Sequence, residues 1–361
     1  MIEQNDKNLD CRQTSLARRE FLTRAGKAGI SVAAAGLISY QLYDRQGPKT
    51  GVDTESLVTL PDFSVPDQAG RTISIVEGSD RVKTVNKAID LLGGIERFVK
   101  PGETVAIKPN VAFASPPMLG ATAQPELVAQ VVRLCYKAGA KQVAVTDNPI
   151  NDPASCFTLS GIGKAASEAG AKVILPKDHL FRHTTLAGGK LIRNWPIFFE
   201  PFEKVDKLIG ITPVKHHHRA GASMSMKNWY GLLGGRRNVF HQDINTIIAE
   251  LSMMVRPTLV ILDGTEVMMT NGPTGGSVSD LRAANTLIAS TDCVAADSYG
   301  CTLLELKVSD LPYLTQAEKA GAGTTDYESL KPKLAVIQES RPPRFAAQAS
   351  SEGQIGKIIC R

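Results

Sequence analysis

From Thr72 onward the chain alternates short apolar runs, rich in β-branched residues, with longer stretches in which apolar side chains recur at helical spacing. Such alternation predicts strand–helix–strand units and a largely parallel sheet. Residues 72–76 read as a strand, and Val82, Val85, Ala88, Ile89 and Leu92 mark the inner face of the helix after it. A second strand, residues 104–108, is bounded by Pro101-Gly102 and by Pro109. Pro125 opens a helix through Ala138, with Leu127, Val131, Leu134 and Ala138 on one side and Gly139 suited to end it. The tetrapeptide Ala-Gly-Ala-Lys occurs at 138–141 and again at 169–172, each time ending a helix and leading into an apolar strand, 142–146 and 173–175. This is one supersecondary unit used twice, not a solenoid repeat.

Between residues 184 and 211 the pattern loses regularity, broken by Trp195-Pro196 and Glu200-Pro201, which suits hairpins or a subsidiary lobe. A helix over 243–254 then leads to a strand at 258–262, and a final strand at 287–290 precedes a helix beginning near Cys293. The expected fold is α/β: a doubly wound, mainly parallel sheet with helices on both faces and a less regular insertion. Three segments follow: a leader and linker over 1–50, an α/β domain over 72–336, and a polar tail over 337–361.

The leader has the three parts of an export signal, namely a basic polar start, an apolar stretch over 28–42 and a polar segment over 44–51. At roughly 15 residues the apolar stretch is shorter than the roughly 20 that span a bilayer. Ser15-Leu16-Ala17-Arg18-Arg19-Glu20-Phe21-Leu22-Thr23 resembles a twin-arginine signal, departing from its pattern at Ala17 and Thr23, while Arg24 and Lys27 supply the trailing positive charge. The resemblance implies folding in the cytoplasm, passage through the twin-arginine export machinery and a periplasmic or extracytoplasmic location. No small-residue cleavage site stands out after Tyr43, so an uncleaved signal acting as a membrane anchor is the other outcome.

Composition adds exclusions. Of 361 residues, 43% are hydrophobic and 21% charged, as in ordinary globular proteins, and the net charge of +5 is partly owed to the leader. Basic residues are not massed in runs and no aromatic ladder accompanies them, so nucleic acid is not expected as a partner. None of the six cysteines forms a Cys-x-x-Cys pair, which leaves no sequence basis for an iron–sulfur or structural zinc site. Cys135, inside a helical pattern, reads as a small buried hydrophobe. Glycine-x-serine-x-glycine and metalloprotease signatures are missing from the sequence.

Candidate chemistry gathers at predicted strand ends, where open α/β sheets bind ligands. Lys108-Pro109-Asn110, Asp147-Asn148-Pro149 and Asp263-Gly264 each follow a strand. Asp147 and Asn148 read most simply as turn residues, whereas lysine has no turn-forming role and Lys108 ends an apolar run. The densest set is Lys215-His216-His217-His218-Arg219 followed by Lys227-Asn228-Trp229-Tyr230-Gly231. Neighbouring side chains on a strand alternate faces, so at most His216 and His218 could share an ion, and no metal site is assigned. A lysine and one histidine lining a site for an anionic group is the favoured reading, with Lys227 and Asn228 as further donors. Lysine there is a point charge, or an acid, base or amine nucleophile when burial depresses its pKa. Gly272 and Gly275 lie in a glycine-rich loop able to present backbone N–H groups to an anion, although it lacks the lysine of a P-loop. Asp292 fits a helix N-cap, and Asp297 follows one turn later.

Taken together, these segments in this order resemble the domain of unknown function family numbered 362, from about Thr72 to Leu314. The family pattern of lysine, any residue, histidine maps onto Lys215 and His217. Many members carry ferredoxin-like cysteine clusters, which this chain lacks, so the resemblance supplies fold and site more than a reaction. The expected function is an exported protein with one polar pocket acting on a small anionic metabolite. Lys215, His217, Lys227 and Asp263 would be its catalytic set, and Lys108, Asn110, Asn228, Gly272, Gly275 and Asp297 its binding set. No cofactor is named by the sequence. A non-catalytic binding or redox-accessory protein holding an anionic ligand, metal or cofactor is the alternative.

Overall fold

The computed structural model describes residues 20–36, 59–65 and 70–337, which belong to two units, 1–55 and 56–361. In the first unit residues 20–36 form a helix, α1, carrying an Arg24–Glu20 ion pair at 2.6 Å. Arg18, Arg19, Cys11, Cys360 and the tail from residue 338 lie outside the described residues. Among the described residues no helix is long and apolar enough to cross a membrane.

In the second unit the alternating pattern becomes an α/β layer fold. Its strands are β1 (Ile73–Glu77), β2 (Thr104–Pro109), β3 (Gln142–Thr146), β4 (Lys172–Ile174), β5 (Phe181–Thr184), β6 (Trp195–Phe198), β7 (Lys207–His217), β8 (Gly221–Ser223), β9 (Leu259–Met268), β10 (Leu281–Ser290) and β11 (Lys333–Val336). The helices are α2 (Arg81–Leu91), α3 (Pro125–Lys137), α4 (Pro153–Leu159), α5 (Ile162–Glu168), α6 (Glu200–Glu203), α7 (Ser225–Asn228), α8 (Ile244–Met254), α9 (Cys293–Leu303) and α10 (Pro312–Lys319).

The main sheet runs β11-β1-β10-β9-β7-β2-β3-β4, with β8 paired to β7. From β9 to β4 every neighbour is parallel, and β10 runs against both β1 and β9. Side-chain alternation explains why helices cover both faces. Val105, Ile107, Ile209, Ile211, Leu259 and Ile261 enter one apolar layer with Val85 and Ile89 of α2 and Leu127 and Val131 of α3. Ala106, Leu208, Val260 and Leu262, one residue out of phase, enter the other layer with Ile247 and Leu251 of α8, Val294 of α9 and Leu314 of α10. Burial of this kind on both faces is what makes such strands read as near-continuous apolar runs.

Several elements differ from the sequence reading. The irregular stretch contains a β5–β6 hairpin, and its last part already belongs to β7, a central strand. Pro213 interrupts the apolar pattern of β7, and it is tolerated because the pairing with β9 is irregular between Pro213 and Lys215. β9 and β10 are longer than expected, and β11 adds an unexpected edge strand parallel to β1. The unit also includes chain before Thr72: buried Phe63 donates its N–H to Arg256 O at 3.0 Å, and Thr258 Oγ1 donates to Phe63 O at 2.7 Å. Cys135, Cys156, Cys293 and Cys301 are buried free thiols.

Winding direction places the site. From β2 the chain steps outward through β3 and β4, then returns on the other side of β2 to lay down β7 and β9. The order therefore reverses between β2 and β7, and the crevice beyond their carboxyl ends is where open α/β sheets bind ligands.

Candidate functional site

Lys108 leaves β2 one register step after Ile107, on the α7 side of the sheet, and is only 1% exposed. Its ammonium meets Asp147 Oδ1 at 2.7 Å and Asn228 Oδ1 at 3.0 Å. Asp147, just past β3, is anchored by Val111 N–H at 2.8 Å on its other oxygen. Asn228 closes the ring by donating Nδ2–H to Lys108 O at 3.1 Å. Gly231 lets this pair form: a Cβ there would collide with Asp147 Oδ1 and stand 2.9 Å from Lys108 Nζ.

Lys215, at the carboxyl end of β7, is equally buried but pairs with no carboxylate among the described residues. Its Nζ donates to Ala121 O at 2.6 Å and Asn110 Oδ1 at 3.2 Å, and lies 5.5 Å from the centre of the Phe113 ring. Burial, with the Lys227 ammonium adding to it, lowers its pKa to about 7. Lys227, on α7, is partly accessible from the cavity, and its Nζ lies 4.9 Å from the centre of the Tyr230 ring. It makes no hydrogen bond or ion pair with a described residue. Burial first, then Arg237 and Lys108, lower its pKa to about 7. Arg237 spends its donors on carbonyls, NH1 on Asn148 O at 2.8 Å and NH2 on Pro149 O at 2.6 Å.

The imidazoles are set in different tautomers by their hydrogen bonds. Backbone N–H groups of Arg219 and Ala220 both donate to His217 Nδ1 at 3.1 Å. That nitrogen therefore carries a lone pair, and the ring hydrogen sits on Nε2. Burial and the nearby Lys227 charge hold the His217 pKa down to about 2, so the ring is a neutral donor. His241 is the converse. Its Nδ1 lies 3.2 Å from Asn238 O, which can only accept, and 3.1 Å from Tyr230 Oη, whose own hydrogen goes to Arg237 O at 2.6 Å. Nδ1 thus carries the hydrogen and Nε2 is left able to accept a proton. The His217 and His241 rings stack at 6.0 Å.

These groups converge on one cavity of about 330 Å³, whose lining includes Lys108, Asn110, Lys215, His217, Lys227, Asn228 and Gly272 from the sequence reading. Asp263, Asp297 and Gly275 are not in that lining, which corrects the expected set. Strand alternation sends Asp263 to the face of Leu259 and Ile261, where Arg81 of α2 holds it at 2.8 Å. Asp297 of α9 is sealed beneath α7, accepting from Ser225 N–H at 2.8 Å, Met226 N–H at 3.0 Å and the Ser225 hydroxyl. Burial raises its pKa to about 7, and its work is to seat the helix that carries Lys227. Gly275 packs on Met268 instead of facing the cavity.

Asp147, Tyr230, Arg237, His218 and His241 also line the cavity. Asp147 was readable as a turn residue, and Arg237 and His241 sit in an irregular 3-10 segment with no periodicity to mark them. Of the charged groups lining the cavity, Lys108, Lys215, Lys227 and Arg237 share one carboxylate, Asp147. The lining thus holds more cationic than anionic groups, with a neutral imidazole donor and an imidazole acceptor beside them.

The family model described as Domain of unknown function (DUF362) matches residues 105–302. The chain is 26% identical over 265 residues to the "Thylakoid-associated protein sll1697" of Synechocystis sp., covering 70% of this chain and 78% of that protein. Among solved structures it is similar to the lactate racemase apoprotein from Thermoanaerobacterium thermosaccharolyticum, at 13% identity and a TM-score of 0.36 over 70% of this chain. A protein from Thermotoga maritima gives 14% identity and a TM-score of 0.37 over 63% of this chain. The chain spans 60% of the length of each of these two solved proteins.

Proposed function

We propose that this chain, which belongs to the family described as Domain of unknown function (DUF362), is an enzyme that binds a small, multiply charged anionic metabolite beyond β2 and β7 and moves a proton on it. One observation carries the reading: Lys215 and Lys227 are enclosed without a carboxylate, while Lys108 already has Asp147. Placing a lysine in a poorly solvated site costs free energy that an internal anion normally offsets. A bound anion does so here. Lys227, Lys215 and Arg237 hold its charge, His217 Nε2–H polarises an oxygen, and His241 Nε2 takes up the proton. The cavity, at about 330 Å³, is at the small end of ligand pockets and suits a compact metabolite.

Calorimetric titration with malate, oxaloacetate, 2-oxoglutarate and phosphate near neutral pH tests binding. Deuterium incorporation from heavy water into the bound carbon acid tests proton transfer. Binding that disappears in folded Lys227→Ala, together with deuterium incorporation, is the expected result. Binding without exchange makes the protein a carrier of the anion, and no binding by any of the four sinks the reading.

We further infer that the protein is exported folded by the twin-arginine route to an extracytoplasmic location. Arg18-Arg19 before the apolar stretch of residues 28–42 supports this. Replacing both arginines by lysine should leave folded precursor in the cytoplasm, and unchanged export would defeat it.

A further inference from the structure

We propose that Lys227 is an imine-forming amine and that the metabolite is a small 2-oxo acid, an inference that rests on the anion-binding reading above. The three cavity lysines are not equivalent. Lys108 and Lys215 are each 1% exposed. The first is fixed by Asp147 and Asn228, the second by Ala121 O and Asn110. Neither amine can leave its partners without stranding a buried polar group. All three line the cavity, but Lys227 alone among them is half-buried and, among the described residues, tied to no acceptor, resting instead on the Tyr230 ring. A nucleophilic amine needs both properties: room for a carbon atom to approach, and no carboxylate holding it as ammonium.

The charge around it supports the same conclusion. With a pKa of about 7, pressed down by burial and by Arg237 and Lys108, Lys227 is substantially free amine at neutral pH. The same cations that suppress its protonation offer docking for a carboxylate next to the reacting carbonyl. Such a carboxylate also offsets the positive charge that the product would add to an already cationic site.

Each step balances without an oxidant or a second substrate. The Nζ lone pair forms a C–N bond to the carbonyl carbon, the C=O π pair moves to oxygen, and that oxygen takes a proton while the now cationic nitrogen gives one up, leaving a neutral carbinolamine. The hydroxyl then takes a second proton, nitrogen returns its pair as C=N and the C–O bond breaks, so water leaves; with one of those protons coming from the amine itself, amine, ketone and one net proton become iminium and water. His217 Nε2–H donates a hydrogen bond to the oxygen as charge develops on it, while the protons that the oxygen takes come from the amine and from solvent. His241 Nε2 is the acceptor for a proton from the carbon next to the iminium, whose positive nitrogen draws that bond's electrons.

Full-length protein incubated with pyruvate or 2-oxoglutarate and reduced with sodium borohydride tests the step, with intact mass and peptide mapping as readout. The expected result is a single reduced adduct on Lys227, at least an order of magnitude less abundant in Lys227→Arg shown to be folded by thermal unfolding. An oxo acid that raises the melting temperature but gives no adduct, or an adduct mapping to other lysines, overturns imine formation and leaves anion binding standing. Neither a thermal shift nor an adduct overturns both.

Discussion

Two clusters of charge stand near the carboxyl ends of the central strands, on opposite faces of the sheet, and they handle imbalance differently. On the α2 face a single cation, Arg81, meets Asp263 at 2.8 Å, Glu266 at 2.9 Å and Glu126 at 3.3 Å. The surplus there is negative, but the glutamates reach solvent, with side chains 43% and 56% exposed, and water supplies the missing compensation. On the α7 face Lys108, Lys215, Lys227 and Arg237 share Asp147, and the surplus is walled in. The Arg81 cluster leaves its excess charge in water, whereas the cavity keeps its excess enclosed, where under the proposed function a bound anion answers it.

The largest break in that comparison should come from Lys108→Met, which strands Asp147 in the interior and should cost about 3–5 kcal/mol in urea unfolding. Adding Asp147→Leu should recover most of the loss. Gly231→Ala drives a methyl group into the same pair, and a loss of about 1–3 kcal/mol is expected. On the opposite face Arg81→Met should cost about 2 kcal/mol while leaving anion affinity unchanged in calorimetry; a parallel loss of affinity would join the two clusters.

The pH dependence should be smaller and opposite in sign for stability and for binding. Lys215 and Lys227 fall from an ordinary 10.5 to about 7 on folding. Between those values the unfolded chain binds more protons than the folded one, so these lysines make the ligand-free protein more stable as pH rises through that window. Binding of an anion that forms no imine, such as malate, needs the protonated amines and should weaken over the same range. Unfolding followed across the window should show a flatter rise for Lys227→Met, and equal slopes would remove Lys227 from the account.

How much of this was legible follows from burial. Strands such as 142–146 announced themselves because both faces are covered and Val143, Ala144 and Val145 run apolar in succession. β7 did not, since Pro213 sits at an irregular pairing and the histidines follow, and β11 did not, because an edge strand with Lys333 and Leu334 exposed carries little apolar signal. Lys108 was readable because no turn needs a lysine. Asp263 and Asp297 were misplaced for one physical reason: position at a strand or helix end fixes depth, whereas side-chain phase fixes the face, and phase sends Asp263 to Arg81 and Asp297 under α7. Asp147 was hidden by its aptness for a turn, and His241 by an irregular backbone.

Lys227 decides between an enclosed surplus and a structural ion pair. The most direct measurement is the thermal unfolding of Lys227→Met against wild type, each with and without 2-oxoglutarate or malate. Removing an enclosed cation that has no partner should leave the melting temperature of the ligand-free protein unchanged or higher. It should also abolish the ligand-induced rise, which for wild type at a hundredfold excess over Kd is on the order of 5 °C. A fall of several degrees in the ligand-free variant, with the ligand-induced rise retained, would contradict the account and make Lys227 a structural lysine.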